Sequence, residues 1–284
     1  MESTEMSKLF ASIVLYKHQY QDVKPTIDAL LGCHSLQGLV LVDNGGCAWA
    51  DQLEERRVHY IRSDRNGGYG HGHNQAIRAF AEQADYFLIC NPDIQFHSAD
   101  LDCYLAGLSG HAASLFMPRI VYPDGTQQEL CKLLPSPANL FVRRFLPALA
   151  ETLEQRYMLR HADFDKAFFA PSLSGCFMLF RAAALQQLNG FDDNFFMYME
   201  DVDLSRRCAV QFGNLYLPGM TVTHHFAKAS YTDRKLLKAH IRSAVQYFNK
   251  WGWLFDQTRR MLNKACLAQL PRKRPDRTGT AGCR

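Results

Sequence analysis

The stretch Tyr86-Phe-Leu-Ile-Cys-Asn-Pro-Asp93 places five apolar residues directly before an Asn-Pro-Asp turn. Such a run, bounded by turn residues, is typical of a buried strand. Similar runs precede it at 9–16, 38–42 and 58–61, and they are separated by helical segments at 22–31 and up to Gln83. Asp22 is a plausible N-cap of the first helix. This alternation of strand and helix predicts an α/β fold with a mostly parallel sheet.

The C-terminal part of the chain continues the pattern less regularly. We interpret 132–165, which contains three prolines, as helical loop material over one face of the sheet. The other predicted elements are strands at 114–121, 172–181 (with Gly175 inside) and 215–223, and helices at 182–188, 204–211 and 234–251. Beyond Leu270 there is no apolar pattern, and we expect disorder.

Two predicted strands end in an aspartate, Asp43 and Asp93. Ligands of parallel α/β sheets bind beyond the carboxyl ends of the strands. An Asn-Pro turn is structural by default, but a carboxylate in this position can hold Mg²⁺ or Mn²⁺. His224 ends a later predicted strand and is a candidate second ligand, with the adjacent His225 as the alternative.

A glycine-rich stretch, Asn66-Gly-Gly-Tyr-Gly-His-Gly-His-Asn74, follows the third strand. Its glycine spacing does not match the GxGxxG dinucleotide fingerprint. A loop with four glycines exposes backbone amides that can hold a phosphate or a base. The alternative is a flexible turn.

Carboxylates are concentrated in the segment from Gly190 to Arg207, at Asp192, Asp193, Glu200, Asp201 and Asp203. An aromatic and Met-rich run, Phe195 to Met199, separates the first two from the others. One carboxylate is enough to cap a helix, whereas three lie within four residues here. Their mutual repulsion and partial burial raise at least one pKa, as a general base requires. The spacing therefore favours a reactive site over a cap.

Composition limits the function classes further. The 284-residue chain is 47% hydrophobic and 21% charged, as expected of a soluble globular protein. Nine cysteines without a CxxC pair predict reduced thiols, with no disulfide framework and no zinc site. We predict no secretion signal and no membrane span. Residues 256–284 hold eight Lys or Arg and two Asp, which gives this segment a net charge of +6. Because the whole chain has a net charge of +4, the remaining residues carry −2. This basic tail suggests an anionic surface as partner, and not nucleic acid, because it lacks interleaved aromatics.

Together these motifs resemble the family 2 glycosyltransferases of the GT-A (Rossmann-like) fold, close to the rhamnosyltransferase-like branch that builds bacterial surface polysaccharide. The resemblance covers residues 8–255. The motifs that carry it are Val42-Asp43-Asn44, Asn66 to Asn74, Asn91-Pro92-Asp93, Ser174-Gly175-Cys176-Phe177, Gly190 to Asp203, His224-x-Phe226-Ala227-Lys228-Ala229-Ser230, and Tyr247 to Trp253.

The resemblance implies a role for each motif. Asp201 is the expected catalytic base, with Glu200 as its neighbour. The expected donor-binding residues are Tyr16, Asp43, Asn44, Asn66, Gly68, Asn74, Asn91 and Asp93, and the expected acceptor-binding residues are Gly175 and Tyr198. Asp93 and His224 are the expected ligands of a divalent cation, Mg²⁺ or Mn²⁺. Asn91 stands where the family's DxD motif has its first carboxylate, so one ligand is lost.

The expected reaction is direct displacement with inversion, because one base without a nucleophilic second carboxylate favours it. The resemblance implies transfer of a sugar, such as rhamnose from dTDP-rhamnose, to a lipid-linked or lipopolysaccharide (O-antigen-type) saccharide. Two alternatives stay open: a nucleotidyltransferase that makes a nucleotide sugar, and a catalytically inactive sugar-nucleotide-binding protein.

The expected organisation is one catalytic domain, 1–255, with a donor half at about 8–120, an acceptor half at about 121–255, and a partly disordered tail at 256–284. The expected location is cytoplasmic, peripheral at the inner face of the bacterial inner membrane. The tail cations and the nearby aromatics Trp251, Trp253 and Phe255 would provide the contact.

Overall fold

The structure is a computed structural model that describes residues 6–140, 154–225 and 234–271. Its strands are β1 (Leu9–Leu15), β2 (Leu36–Asp43), β3 (Val58–Arg62), β4 (Tyr86–Cys90), β5 (Ile94–Gln95), β6 (Leu115–Val121), β7 (Cys131–Lys132), β8 (Ser172–Leu173), β9 (Phe177–Arg181) and β10 (Asn214–His224). Its helices are α1 (Tyr20–Leu31), α2 (Tyr69–Phe80), α3 (Ser98–Gly107), α4 (Ala182–Gln187), α5 (Glu200–Gln211), α6 (Arg234–Trp251) and α7 (Gln257–Gln269).

Eight of these strands form one mixed sheet in the order β3-β2-β1-β4-β9-β6-β10-β5. The N-terminal part, β3 to β4, is entirely parallel. Every residue of β1 is buried, which explains its uninterrupted apolar sequence. Leu15 pairs with Asp43, and Ile13 with Cys90. The carboxyl ends of β1, β2 and β4 therefore meet at one edge, and the prediction of a mostly parallel α/β sheet is confirmed.

The C-terminal part of the sheet differs from the predicted pattern at one strand. The segment 172–181 is not one strand, because Gly175 lies between β8, which pairs with β7, and β9. Strand β9 is antiparallel to β4, and Cys90 pairs with Phe177. The residues just before β9 thus lie at the same edge as the end of β4, where the Asn91 amide donates to the Cys176 carbonyl at 2.9 Å.

Two helices begin earlier than the sequence predicted. Helix α1 starts at Tyr20 with Gln19 at the N-cap, so the assignment of Asp22 as the cap is wrong. Helix α5 starts at Glu200, four residues before the predicted position, which places Glu200 and Asp201 in its first turn. The predicted end of α5 near Gly213 is confirmed, because Gly213 has a φ of +81°.

The glycine-rich stretch is helical from Tyr69 onward, which corrects the loop prediction. A Cβ atom on Gly72 would lie 2.6 Å from the Val14 side chain, and one on Gly70 would lie 2.7 Å from Phe191. Because these two positions lack a side chain, α2 can approach β1 and the segment around Phe191 closely. Amides of Gly68, Tyr69 and Gly72 donate to protein oxygens, so they are not directed at a ligand.

A second, smaller hydrophobic cluster joins the last three helices. It consists of Leu134, Phe195, Met199, Val202, Ala244, Tyr247, Phe248 and Leu262. Helix α7 buries Arg259, Leu262 and Cys266 and is held by Asp256, whose carboxylate makes a two-pronged ion pair with buried Arg206 (2.6 and 2.7 Å). Residues 257–269, which the sequence analysis assigned to a basic tail, are therefore part of the folded body. Residues 272–284 lie outside the described residues, and the division at 255 stays a prediction.

Other expectations concern cysteines and membrane spans. Eight cysteines lie in the described part of the chain, and all are free thiols there, seven of them buried. Cys283 lies outside the described residues. Among the helices of the described ranges, none combines the length and hydropathy that crossing a bilayer requires.

Candidate active site

A cavity of about 690 Å³ opens at the sheet edge where β1, β2 and β4 end. Its lining includes six of the predicted donor-binding residues, namely Tyr16, Asn44, Asn66, Gly68, Asn91 and Asp93. The remaining lining residues are Val14, His18, Asp22, Pro25, Thr26, Tyr69, Pro92, Gln95, Met197 and His225. Its position beyond the carboxyl ends of parallel strands is where an α/β sheet binds ligands.

Asn44 and Asn66 shape one wall by holding Gly68 from both sides. Asn44 donates to the Gly68 carbonyl at 2.9 Å, and Asn66 accepts from the Gly68 amide at 3.2 Å. Gly68 has a φ of +99°, and a Cβ on it would lie 1.8 Å from the Phe196 carbonyl oxygen. The position therefore excludes every side chain.

Two predicted donor-binding residues, Asp43 and Asn74, do not line the cavity. The Asp43 carboxylate accepts from the amides of Gly45 and Cys47 and from the Tyr60 hydroxyl. It thus closes the turn after β2. The Asn74 side chain accepts from the Phe191 amide at 2.8 Å and donates to Asp193 at 2.7 Å, so it ties α2 to the acidic segment. Both are buried, and the structure gives them positioning contacts within the protein.

His18 is a cavity residue that our sequence reasoning missed. Its Nδ1 accepts from the Tyr16 amide at 3.0 Å, and its carbonyl accepts from the Trp49 indole at 2.9 Å. Burial lowers the pKa of His18, although Asp93 and Asp22 oppose that shift. Its position just beyond the end of β1 could have identified it, because Asp43 and Asp93 were selected for lying at the carboxyl ends of strands.

Asp93 and His224 come together as predicted, at 3.3 Å between Oδ1 and Nε2. Asp93 Oδ1 is buried and receives no hydrogen bond of good geometry in the described part of the chain. The side-chain amide nitrogen of Asn91, Nδ2, lies 3.2 Å from His224 Nε2. Of the two histidines considered, His224 contacts Asp93 through its side chain, whereas His225 does so through its backbone amide and lines the cavity.

Gln128, which sequence reasoning also missed, fixes the orientation of the His224 ring. Its Nε2 donates to the carbonyls of Val121 and His224, so its Oε1 is the atom 2.9 Å from His224 Nδ1. Nδ1 must therefore carry a proton, and Nε2 is the atom turned to Asp93. No motif in the sequence marks Gln128, because it lies in the irregular segment after β6.

The charges of this pair reinforce each other. Burial alone lowers the pKa of His224, but contacts with Asp93 and Cys176 outweigh burial and raise it to about 10. Burial raises the pKa of Asp93, and the His224 contact outweighs that effect, so the net pKa is lowered. Without a cation, an imidazolium and a carboxylate face each other here.

The same two atoms also fit a divalent cation. Two ligands at right angles on an ion with bonds of about 2.1 Å lie about 3 Å apart, close to the observed 3.3 Å. The buried, poorly satisfied Oδ1 of Asp93 is the kind of atom that a cation would satisfy. The described residues hold no group of three or more His, Cys, Asp or Glu side chains suited to a metal.

The structure sorts the five carboxylates of the acidic segment into two groups. Asp192 pairs with Lys250 at 2.6 Å, and Asp193 accepts from Asn74 and lies 3.5 Å from His71. Asp203 is fully buried and accepts from Arg207, Lys250 and the Trp251 indole. Within the described ranges, Glu200 and Asp201 have no cationic partner.

Among the residues that the structure describes, Asp201 is held by backbone amides alone. Its Oδ2 accepts from the Gly175 amide at 2.9 Å, and its Oδ1 from the Val202 amide at 2.8 Å. The Gly175 carbonyl accepts from the hydroxyl of Tyr69, which lines the cavity. A Cβ on Gly175 would lie 3.3 Å from both Asp201 and Tyr69. Gly175, a predicted acceptor residue, thus lets the loop before β9 reach Asp201, which is itself outside the cavity lining.

The chain enters α5 in an unusual conformation. Tyr198 and Met199 both have positive φ, +68° and +66°, which non-glycine residues adopt rarely and at an energetic cost. The Tyr198 ring packs on His240, and Ser243 donates to the Met197 carbonyl at 2.8 Å. Contacts from α6 therefore help to hold the segment that delivers Glu200 and Asp201.

Glu200 is buried, and its Oε2 has no hydrogen-bond partner in the part of the chain described. Burial, followed by the charge of Asp201, raises the pKa of Glu200 to about 8. The prediction that crowding would raise at least one pKa in this segment is confirmed, and the residue concerned is Glu200. The raised pKa favours the protonated form of Glu200 at neutral pH.

No family model matches the chain. Over 238 residues, 76% of each chain, it is 30% identical to an N-acetylglucosaminyl-diphospho-decaprenol L-rhamnosyltransferase from Mycobacterium tuberculosis. The chain belongs to the rhamnosyltransferase-like family 2 glycosyltransferases. It is also 26% identical to the rhamnosyltransferase WbbL of Escherichia coli K12, over 83% of this glycosyltransferase and 91% of WbbL.

The fold of this glycosyltransferase matches solved structures of the GT-A class. One is GalNAc-T7 with UDP, GalNAc and Mn²⁺, with a TM-score of 0.59 and 13% identity. The match covers 88% of this chain, which spans about half of that chain's length (49%). The GT-A fold prediction is thereby confirmed. Membership of the family also decides in favour of sugar transfer over the nucleotidyltransferase alternative.

Proposed function

We propose that this glycosyltransferase moves rhamnose from a nucleoside-diphosphate sugar to a saccharide carried on a lipid diphosphate, with inversion at the anomeric carbon. Two relatives with rhamnosyltransferase names support the sugar, and the decaprenol-diphosphate acceptor in the name of one supports the acceptor class. The observation that carries the mechanism is Asp201, a carboxylate held by two backbone amides and without a cationic partner in the described ranges. Gly175, which supplies one of these amides, also accepts from Tyr69 in the cavity lining.

Asp201 is the proposed general base. Each of its oxygens accepts one amide hydrogen bond and keeps a further acceptor position, so the carboxylate is oriented but not neutralised. It takes the proton of the acceptor hydroxyl as that oxygen attacks the anomeric carbon. Glu200 is protonated at neutral pH and cannot act as a second nucleophile. A single base acting on the acceptor favours one displacement, and hence inversion.

The nucleotide part of the donor occupies the 690 Å³ cavity in this proposal. Tyr16, which is 46% exposed at its mouth, offers a ring face to the base. Asn44, Asn66 and Gly68 form the wall, and Asn91 to Asp93 lie where the diphosphate would reach the sheet edge. Asp43 and Asn74 act from behind this wall by holding its backbone.

Asp93 Oδ1 and His224 Nε2 are the atoms that would hold a divalent cation, with Gln128 setting the tautomer of His224. The Mn²⁺ in a related fold supports this assignment. When bound, the cation would neutralise negative charge on the departing diphosphate. With two ligands assigned in the described part of the chain, we expect weak affinity in the absence of nucleotide.

The test of the reaction is a donor panel. Purified protein is incubated with dTDP-rhamnose and other nucleotide sugars, and with a polyprenyl-diphosphate saccharide or a short-chain analogue. We expect release of nucleoside diphosphate, a mass increase of one deoxyhexose on the acceptor, and an inverted anomeric centre by NMR. Pyrophosphate release or a retained configuration would refute the proposal. An absence of turnover with every donor would instead favour the inactive sugar-nucleotide-binding alternative.

The cation is tested in the same assay. Chelation with EDTA should abolish turnover, and Mn²⁺ or Mg²⁺ should restore it. Asp93→Ala should also weaken binding of the nucleoside diphosphate in the presence of Mn²⁺, measured by calorimetry. Full activity in EDTA, together with unchanged nucleotide binding by Asp93→Ala, would remove the cation from the proposal.

A further inference from the structure

The connection between α6 and α7 exposes three consecutive large apolar side chains. Trp253, Leu254 and Phe255 are 38%, 68% and 86% exposed. Gly252, with a φ of +102°, turns the chain away from α6 and allows this exposure. Single apolar residues on a surface need no explanation, but a contiguous apolar patch commonly marks an interaction site.

This apolar turn, Gly252–Phe255, is fixed to the body of the protein. The Trp253 indole donates to Asn249 at 2.9 Å, and its ring packs 5.1 Å from that of Phe248. The Leu254 carbonyl accepts from the Arg259 guanidinium at 3.3 Å. The next residue, Asp256, is buried in its ion pair with Arg206. The exposed side chains are therefore presented on a rigid support.

A basic groove lies beside the apolar turn. It has a volume of about 460 Å³ and is lined by Arg156, Arg259, Arg260, Asn263, Lys264, Leu267 and Ala268. Four of these seven residues are cationic and none is acidic. Arg259 is buried and also donates to the Pro135 carbonyl, so the groove cations that remain for an external partner are Arg156 and, on the exposed face of α7, Arg260 and Lys264.

The exposed side chains of α7 are spaced as on one face of a helix. Arg260, Met261 and Lys264 are exposed there, with Met261 at 58%, while Leu262 and Cys266 face the core. Apolar and cationic side chains thus share one face, continuous with the apolar turn. A protein partner would require matched shapes, whereas the combination of protruding aromatics with flanking cations fits the interface of an anionic bilayer.

We propose that the apolar turn inserts into the interface of an anionic phospholipid bilayer while Arg260 and Lys264 bind lipid phosphates. The inference deepens the proposed function, since it rests on the acceptor being carried by a lipid. It assigns membrane contact to a folded surface. The surface and the base are connected through α5, which carries Asp201 in its first turn and holds the start of α7 through Arg206.

The experiment is co-sedimentation of the full chain with vesicles of phosphatidylcholine containing 30 mol% phosphatidylglycerol, at low and high salt. Two variants test the surface: Leu254→Ser/Phe255→Ser for insertion and Arg260→Glu/Lys264→Glu for phosphate binding. Matched controls change exposed residues elsewhere: Met6→Ser/Val210→Ser and Arg56→Glu/Arg78→Glu. Thermal melting of every variant checks the fold.

We expect the partition coefficient to fall at least ~10-fold in each surface variant, and by less than about twofold in the controls. Binding of the wild type should weaken with salt and vanish on pure phosphatidylcholine. Wild-type co-sedimentation by both surface variants would overturn the inference. So would loss of binding only when residues 272–284 are removed, because that would place the contact in the tail.

Transfer to a short-chain, water-soluble acceptor separates this inference from the proposed function. The surface variants should keep wild-type kcat and KM on that acceptor and lose activity only on vesicle-borne acceptor. If the wild type binds anionic vesicles but transfers no sugar to either acceptor, the proposed function fails and the membrane surface stands.

Discussion

Asp201 and Asp203 lie two residues apart in the first turn of α5, yet the protein treats their charges in opposite ways. Asp203 is fully buried among Arg207, Lys250 and the Trp251 indole, each within 2.8 Å. Asp201 is half-buried, and in the part of the chain that the structure describes it accepts from the amides of Gly175 and Val202 alone. The first arrangement neutralises the carboxylate, while the second orients it and leaves its charge intact.

The comparison shows why an acidic cluster is a poor guide to function until its partners are known. Cations hold a carboxylate in its ionised form and remove its ability to take a proton from a neighbour. Backbone amides orient a carboxylate without placing a cation beside it. Helix α5 thus carries one carboxylate, Asp203, that cations of α5 and α6 hold, and another, Asp201, that backbone amides orient.

The largest expected effect comes from removing the basicity of Asp201. Asp201→Asn keeps the shape but cannot accept the proton, so we expect kcat to fall by about 10²–10⁴ with little change in donor affinity. Steady-state kinetics and nucleotide binding by calorimetry measure the two quantities. Turnover near that of the wild type would remove Asp201 as the base.

Asp203→Asn tests the other half of the comparison. It leaves Arg207 and Lys250 opposite a neutral amide, and we expect a loss of about 3 kcal/mol in the free energy of unfolding. This is the lower end of the range for broken buried ion pairs, because both cations are partly exposed. Urea denaturation measures it. A variant as stable as the wild type would show that the network is not structural.

Glu200 makes a pH-dependent prediction. Its pKa is about 8 in the folded protein and about 4.5 when unfolded, so the native state binds more protons between these values. Stability from this group is complete below pH 4.5 and is lost as the pH rises through 8. We expect Glu200→Gln to remove about 3 to 4 kcal/mol of the stability difference between pH 5 and pH 8. Denaturation of both proteins at both pH values checks this, and parallel pH profiles would contradict it.

The smallest expected effect concerns Asp93 and His224, the proposed ligands of the cation. Gln128→Met removes the acceptor that fixes His224 Nδ1–H, and we expect Mn²⁺ affinity in the presence of nucleotide to fall about tenfold. Electron paramagnetic resonance of free Mn²⁺ measures the affinity without an activity assay. Gln127→Met is the matched control, because Gln127 donates to neighbouring carbonyls but does not contact His224. Equal affinities in the two variants would show that Gln128 does not position the ligand.

The sequence predicted the parts of the fold that follow from local patterns. Continuous apolar runs identified the parallel strands because β1, β2 and β4 are buried on both faces. Asp93 and His224 were paired from their strand-end positions, and the structure brings them within 3.3 Å. The resemblance placed Asp201 and Glu200 side by side at one site.

Other features depended on contacts between distant segments and left no local signal. Gly70 and Gly72 suggested a loop because glycine disfavours helices, but close packing on Val14 and Phe191 outweighs that propensity. Helix α7 is an exception, because Leu262, Cys266 and Leu270 do repeat at helical spacing, but its many cations suggested a basic tail. The partners of Asp203 lie 4 to 48 positions along the chain, so only the fold separates it from Asp201.

The contact between Gly68 and Phe196 limits which segments can be exchanged between related enzymes. Tyr69 donates to the Phe196 carbonyl at 3.1 Å, Asn74 holds Phe191, and Gly68 leaves no room for a methyl group beside Phe196. A chimera that exchanges the acceptor half alone would join two surfaces shaped for different partners. Residues 66–74 and 190–203 therefore have to be exchanged together, although they are more than a hundred positions apart in the chain.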